Sequence, residues 1–139
     1  MSSMISGEVD STPYAFGTVR LPPDWAFPDS ALPVQLVQPE SVYGPRQLVS
    51  SVHQTLKAFA QKANTSPDKG MELLLRIAGT RQVKEALKLK PKSDAVLVVF
   101  GKGASKEFAR LVKDNGWEDV GGVSSRDGEL DAIERSLLL

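Results

Sequence analysis

Residues 71–100, MELLLRIAGTRQVKEALKLKPKSDAVLVVF, contain a helix, a glycine joint, a second helix and a buried strand in one run. The first helix is predicted by apolar residues at helical spacing, namely Met71, Leu74, Leu75 and Ala78. Gly79 suits the left-handed conformation that ends a helix, and Thr80 suits the cap of the next one. Residues 95–100 are a continuous apolar run with three valines, which predicts a strand buried on both faces.

The second helix is expected from Arg81 onward and carries a basic face. Its positions i, i+3 and i+7 hold cations, which are Arg81, Lys84 and Lys88. Its opposite face is apolar and consists of Val83, Ala86 and Leu87. Residues 71–92 hold six basic residues against two acidic ones, Glu72 and Glu85. Because basic and acidic residues are balanced over the whole chain, at 17 each, this local excess of positive charge is informative.

The composition excludes several classes of protein. At 139 residues the chain is long enough for one core and too short for two, so one domain over residues 1–139 is expected. The balanced charge argues against a polybasic protein that coats nucleic acid. The absence of cysteine excludes disulfides, thiolate nucleophiles, zinc–thiolate sites and iron–sulfur clusters. Without a long apolar run or a secretory signal, a cytoplasmic protein with no membrane partner is expected.

The remaining elements are predicted from local patterns. Residues 1–12 are polar and rich in glycine and serine, and are expected to be loosely held. Strands are predicted at residues 14–21 and 34–37, with an edge strand or a loop at residues 117–123. Further helices are predicted at residues 45–62, 106–115 and 128–139. The expected fold class is α/β (α+β), a single domain with a small central sheet packed with about five helices.

Residues 22–33, PPDWAFPDSALP, hold four prolines and connect the first two predicted strands. Proline lacks an N–H donor and is unsuited to a helix interior or a sheet centre. We therefore expect an ordered loop, with Trp25 and Phe27 tucked onto the core. A mobile linker is the alternative, and the two large aromatic side chains argue against it.

Catalytic and metal-binding side chains are few. His53 is the only histidine, lies toward the edge of the apolar face of its predicted helix, and has no cysteine to act with. Glu129, Asp131 and Glu134 share the terminal helix, and without a second acidic cluster they are interpreted as a solvated face. The sequence therefore predicts no catalytic residues, no metal site and no cofactor, and a protein that is not an enzyme.

The turn GKGASK at residues 101–106 follows the buried strand and precedes a helix, which is the context of a phosphate-binding loop. It lacks the Gly-Lys-Ser/Thr ending of a Walker loop and the third glycine of a dinucleotide loop. A plain turn is favoured. The alternative is a small phosphate- or nucleotide-binding enzyme that uses the turn from Gly101 to Ser105.

The basic face after Gly79 has two interpretations. A helix start offers free N–H groups and partial positive charge, and Arg81 adds a planar fork that suits phosphate. Lys84 and Lys88 extend the charge, which is enough for a salt-sensitive grip on a few phosphates. The alternative is an ordinary solvated face that Glu85 partly neutralises, and the residues alone favour this alternative.

The segment LLLRIAGTRQVKEALKL, residues 73–89, resembles the most characteristic segment of the small kinase-binding accessory subunit of the KEOPS complex, in its archaeal form. That family shows a helix that ends in Ser/Ala-Gly, then Arg-Gln-Ile/Val, then a helix with Glu-Ala. The corresponding residues here are Ala78-Gly79, Arg81-Gln82-Val83 and Glu85-Ala86. The strand at residues 34–37, the long helix after it and the buried strand at residues 96–100 are also similar to the family.

The resemblance implies a non-catalytic role in tRNA modification. Members of this family bind the small lobe of an atypical kinase-like ATPase. That ATPase contacts the subunit that transfers the threonylcarbamoyl group to the adenosine next to the anticodon. The family is also similar to a module that recruits tRNA by its 3′ acceptor end. A purely structural partner protein without a nucleic-acid contact remains an alternative.

Two sets of contact residues are expected under this hypothesis. The tRNA contact is expected at Gly79, Thr80, Arg81, Gln82, Lys84 and Lys88. The kinase contact is expected at Met71, Leu130, Ile133 and Leu137, each of which ordinary core packing would also explain. A single-stranded RNA end also needs aromatic stacking. Because residues 71–92 contain no aromatic residue, Trp25 or Phe27 would have to supply it.

Overall fold

The apolar run at residues 95–100 forms a strand that is buried on both faces, as its sequence predicts. The computed structural model describes residues 4–139. This strand spans Asp94–Phe100, and its last six residues are all buried. Side chains alternate between two separate hydrophobic clusters, with Val98 in one cluster and Leu97 in the other. The strand is therefore covered on both faces.

The sheet contains five antiparallel strands. In chain order they are β1 (Ile5–Val9), β2 (Thr12–Arg20), β3 (Val34–Val37), β4 (Asp94–Phe100) and β5 (Glu118–Gly121). Their spatial order is β1-β2-β4-β3, and β5 pairs with the last residues of β2, beyond the end of β1. The predicted strand at residues 34–37 is confirmed, and of the two alternatives for residues 117–123 the structure has the edge strand, at Glu118–Gly121.

Helices cover both faces of the sheet, so the predicted α+β class and single domain are confirmed. Among residues 4–139 the helices are α1 (Pro45–Ala60), α2 (Lys69–Ala78), α3 (Val83–Ala86), α4 (Ala104–Asp114) and α5 (Glu129–Leu137). The cluster on one face joins β4 to α1 and α2, and the cluster on the other face joins β4 to α4. Phe108 of α4 packs over Gly17, where a Cβ would lie 3.1 Å from its ring. None of the helices in the described part is long and apolar enough to cross a membrane.

The N-terminal segment differs from the prediction of a loosely held region. Residues 5–9 form β1 and pair with β2 through a tight turn in which Asp10 and Ser11 have positive φ angles of 52° and 62°. The Asp10 carboxylate contacts Nδ1 of His53 on α1. The alternation of Ile5 and Val9 with polar residues carries the strand signal, which the glycine and serine content obscured. Residues 1–3 of the predicted segment lie outside the described residues.

The proline-rich loop at residues 22–33 is held against α4. The Ser30 hydroxyl donates to the Glu107 carboxylate at 2.5 Å, and Arg110 donates to the Asp29 carbonyl at 3.1 Å. Trp25 is half-buried and packs on the α4 side of the core, as predicted. The same prediction is wrong for Phe27, which is 54% exposed.

Loss of the Glu107 charge is expected to destabilise the protein in a pH-dependent way. Its hydrogen bonds with Arg110 and Ser30 lower the pKa of the carboxyl from 4.5 to about 2. A group with a depressed folded pKa contributes stability above its unfolded pKa, and the contribution is lost as the pH falls through the folded pKa. Because Arg110 is partly exposed and therefore screened, we expect Glu107→Gln to lower the free energy of unfolding at pH 7 by about 1 kcal/mol.

The measurement is urea unfolding of wild type and Glu107→Gln between pH 7 and pH 3. The difference in free energy should narrow as the pH falls below 4.5. Glu118→Gln is the control, because its ion pair with Arg20 is 3.5 Å long and exposed. A difference that stays constant over this range would show that the Glu107 charge is not responsible.

Candidate nucleic-acid interface

Helix α2 ends at the glycine joint that its sequence predicts. Asp68 caps its start by accepting hydrogen bonds from the backbone N–H groups of Gly70 and Met71, at 2.7 and 3.2 Å. Gly79 has φ 70° and ψ 35°, and its N–H donates to the Leu75 carbonyl at 2.9 Å. The left-handed residue satisfies a carbonyl at the helix end and turns the chain sharply. The prediction for Gly79 is confirmed.

The second helix is much shorter than predicted. It begins at Val83 instead of Arg81, and a single α-turn is followed by a 3₁₀ turn at Leu87–Leu89. The Thr80 hydroxyl accepts from the Gln82 N–H at 3.1 Å, so it closes a local turn ahead of the helix. Gln38, beside β3, forms hydrogen bonds with two backbone carbonyls that would bond within the helix if it were longer. It donates to the carbonyls of Leu89 and Lys88, at 2.8 and 2.7 Å.

This shortening leaves the predicted tRNA-contact residues on an exposed, irregular segment. Arg81, Gln82, Lys84 and Lys88 are all exposed, and Gly79 and Thr80 are partly exposed. Lys88 pairs with Glu85 at 3.0 Å, but this pair lies in solvent and contributes little stability. The predicted apolar face is reduced to Ala86, since Val83 and Leu87 are exposed. The predicted contact residues are therefore exposed, but they do not form the regular basic stripe of a long helix.

A cleft adjoins this segment, and aromatic side chains form part of its walls. The cleft has a volume of about 620 Å³ and lies between the proline-rich loop, α2 and the 3₁₀ turn. Its walls include Trp25, Phe27, Met71, Leu87 and Lys90. The Nζ atom of Lys90 lies 5.5 Å from the centre of the Trp25 ring, within the range of a cation–π contact. The aromatic residues that residues 71–92 lack are thus present on the loop side of the cleft.

The terminal helix α5 turns polar residues inward and leucines outward. Its buried residues are Glu129, Ala132 and Ser136. The predicted kinase-contact residues Leu130 and Leu137 are 63% and 61% exposed, and Ile133 lies half-buried between them. Leu138 extends the exposed apolar strip. Core packing therefore does not explain the two exposed leucines.

The interpretation of Glu129 as part of a solvated face is wrong. Its side chain is 4% exposed and accepts a hydrogen bond from the Gln47 N–H, in the first turn of α1, at 3.2 Å. Arg46 pairs with the same carboxylate at 3.2 Å. Gly44 leaves space for the Glu129 carboxylate, since a Cβ at residue 44 would overlap it. A carboxylate at a helix N-terminus is favoured by the free N–H groups and the helix dipole, which explains its burial. Asp131 and Glu134 are exposed, as predicted.

Met71 does not join the other predicted kinase-contact residues. It lies in the first turn of α2 and lines the cleft. Helix α5 contacts the other end of α2, where the Arg135 side chain packs on Gly79. The structure therefore places Met71 with the aromatic cleft, and Leu130 and Leu137 on a separate surface.

The turn from Gly101 to Ser105 is poorly suited to hold an anion. Gly103 is in the left-handed conformation before α4, and its carbonyl accepts from the Glu107 N–H at 3.0 Å. The Glu107 carboxylate lies in the first turn of α4, where it opposes an anionic ligand. Among residues 4–139, no three His, Asp or Glu side chains are grouped to hold a metal ion.

No protein-family model and no curated protein matches this chain.

Two glycines with the same backbone conformation test the packing at this joint. Gly79 and Gly116 have φ angles of 70° and 67°, so alanine at either position is expected to cost about 1 kcal/mol of unfolding free energy. A Cβ at Gly79 would lie 3.2 Å from Cδ of Arg135, whereas a Cβ at Gly116 meets nothing within 4 Å. Because the exposed arginine can move, the two costs measured by urea unfolding should be similar. A Gly79→Ala cost several times larger would mean that Arg135 is rigidly held.

Proposed function

We propose that this protein is a non-catalytic accessory subunit of the KEOPS type. In this proposal it docks on a kinase-like ATPase and helps hold the 3′ acceptor end of tRNA for threonylcarbamoyladenosine modification. The observation that carries the proposal is the cleft of about 620 Å³ that opens beside the basic segment after Gly79 and is walled by Trp25 and Phe27. The resemblance of residues 73–89 to the KEOPS accessory subunit supports the same role.

The cleft has the chemistry that a single-stranded RNA end requires. Unpaired bases stack on aromatic rings, and Phe27 is exposed enough to accept a base without rearrangement of the core. Lys90 places a positive charge over the Trp25 ring at the same wall. The exposed cations Arg81 and Lys84 lie further along the same segment and are suited to phosphate oxygens. Bases and phosphates would thus contact adjacent parts of one surface.

The balanced charge of the chain fits a limited contact with RNA. Lys plus Arg and Asp plus Glu are both 17, so no strong overall field attracts nucleic acid. A few local phosphate contacts give modest affinity with a small salt dependence. A subunit that holds one end of tRNA within a larger assembly needs no more than that.

The leucine strip of α5 is the surface that we assign to the kinase-like subunit. Leu130, Leu137 and Leu138 are exposed on one terminal helix, which is unfavourable in an isolated protein and favourable at an interface. The transferase subunit would be reached indirectly, through the kinase. The alternative of a phosphate-binding enzyme at the turn from Gly101 to Ser105 is disfavoured by the Glu107 carboxylate beside it.

Binding of labelled tRNA tests the RNA contact. We expect intact tRNA to bind more tightly than tRNA that lacks its 3′ terminal nucleotides. Phe27→Ala should weaken binding of intact tRNA about tenfold, because a stacked base is worth about 1–3 kcal/mol. Arg81→Glu with Lys84→Glu should weaken it at low salt and reduce the salt dependence. The measurement is fluorescence anisotropy at several salt concentrations.

The matched control is Lys106→Glu with Lys113→Glu, which changes the same charge on exposed positions of α4 that do not line the cleft. This control should leave the preference for intact tRNA unchanged. If intact and trimmed tRNA bind equally well to wild type, the proposed role in holding the 3′ end is wrong.

Co-purification with the kinase-like subunit tests the other surface. Leu130→Asp with Leu137→Asp should abolish co-purification, because both side chains are exposed in the free protein and would have to be desolvated in the complex. Leu87→Asp is the control, since this leucine is exposed on the cleft instead of α5. Retention of the kinase by the double variant would place the interface elsewhere.

A further inference from the structure

The arginines of this protein fall into two groups. Five of the seven have partners within the chain, as hydrogen bonds, ion pairs or ring contacts: Arg20, Arg46, Arg76, Arg110 and Arg126. Within residues 4–139, the side chains of Arg81 and Arg135 have no such partner. An unpaired guanidinium on the surface keeps its five donors available for a ligand.

These two arginines lie at the same joint although 54 positions separate them in the sequence. Arg81 follows Gly79 by two residues. Arg135 reaches the joint from α5, because a Cβ added at Gly79 would lie 3.2 Å from its Cδ and 3.4 Å from its Cγ. The absence of a side chain at Gly79 thus lets the aliphatic part of Arg135 rest on the backbone of the joint.

We infer that Arg135 and Arg81 together clamp one phosphodiester group of the RNA strand whose end enters the aromatic cleft. This inference rests on the proposed function. It adds Arg135 to the RNA contact, a residue that lies outside the segment resembling the KEOPS subunit. Guanidinium groups bind phosphate through paired N–H donors, and two of them together can each hold one of its two unesterified oxygens. The ligand is identified by this chemistry as a phosphodiester of the RNA backbone.

The acidic residues of the neighbourhood do not occupy the clamp. Glu85 is engaged with Lys88 at 3.0 Å. Asp131 precedes Arg135 by one turn of α5 and forms no ion pair with it in the described structure. The Glu129 carboxylate is buried against α1. Both guanidinium groups are therefore open to an anion from outside the chain.

Helix α5 separates Arg135 from two residues of the leucine strip, Leu130 and Leu137, whereas Leu138 lies only about 60° from it around the axis. At about 100° per residue, Arg135 lies roughly 140° from Leu130 and 160° from Leu137 around the helix axis. The kinase-like subunit can therefore cover Leu130 and Leu137 while Arg135 still faces the joint. One short helix would carry a protein contact on one flank and an RNA contact on the other.

Arg135→Gln tests the clamp, because glutamine keeps the carbon atoms that pack on Gly79 and loses the guanidinium. We expect it to weaken binding of intact tRNA about tenfold, as Arg81→Gln should. The double variant should lose less than the product of the two single losses, because both residues grip one phosphate. The double variant should also reduce the slope of log affinity against log salt by about 0.7, which is the value for one phosphate of a single strand. Lys113→Gln on α4 is the control and should bind like wild type.

Each outcome separates the clamp from the wider proposal. If Arg135→Gln binds like wild type while Arg81→Gln is impaired, the clamp is wrong and the tRNA contact stands. If the two losses multiply in the double variant, the arginines contact different groups and the clamp is again wrong. If wild type does not prefer intact over trimmed tRNA, the proposed function itself fails. Thermal unfolding of each variant excludes a loss of the fold.

Discussion

The buried carboxylate of Glu129 fixes the terminal helix, and both proposed interfaces depend on where that helix lies. The carboxylate accepts a hydrogen bond from the Gln47 N–H and pairs with Arg46 at the start of α1. A carboxylate at this depth is costly without such partners, so the contact determines which side of α5 faces inward. Ala132 and Ser136 follow Glu129 into the interior. The leucines of the helix are left on the outside for this reason.

Helix α5 and the aromatic cleft lie at opposite ends of α2. Arg135 rests on Gly79 at one end of α2, and Met71 lines the aromatic cleft at the other. Because α2 has ten residues, these ends are about 15 Å apart. The exposed segment that follows Gly79 runs back toward the cleft and places Lys90 over the Trp25 ring. The residues after Gly79 that are proposed to bind phosphate thus belong to the same segment that provides Lys90 to the cleft.

The sequence predicts the parts of this structure that local chemistry determines. Such features are the fold class, the left-handed end of α2 at Gly79, and the alternation of the β4 side chains between two hydrophobic clusters. The periodicity of α5 places leucines and acids correctly around the helix but does not show which side is buried. That choice comes from Glu129 meeting a helix start more than eighty residues away. The cleft and the approach of Arg135 to Gly79 likewise join distant segments, so no local pattern contains them.

The most direct test of the account is an NMR titration of ¹⁵N-labelled protein with a short single-stranded RNA that carries the 3′ terminal sequence of tRNA. If one RNA strand contacts both the joint and the cleft, the indole N–H of Trp25 and the amides of Gly79 and Thr80 should shift together and saturate at one RNA concentration, while the amides of α4 stay unchanged. Shifts confined to the turn from Gly101 to Ser105, or no shifts at the joint and the cleft, would contradict this contact.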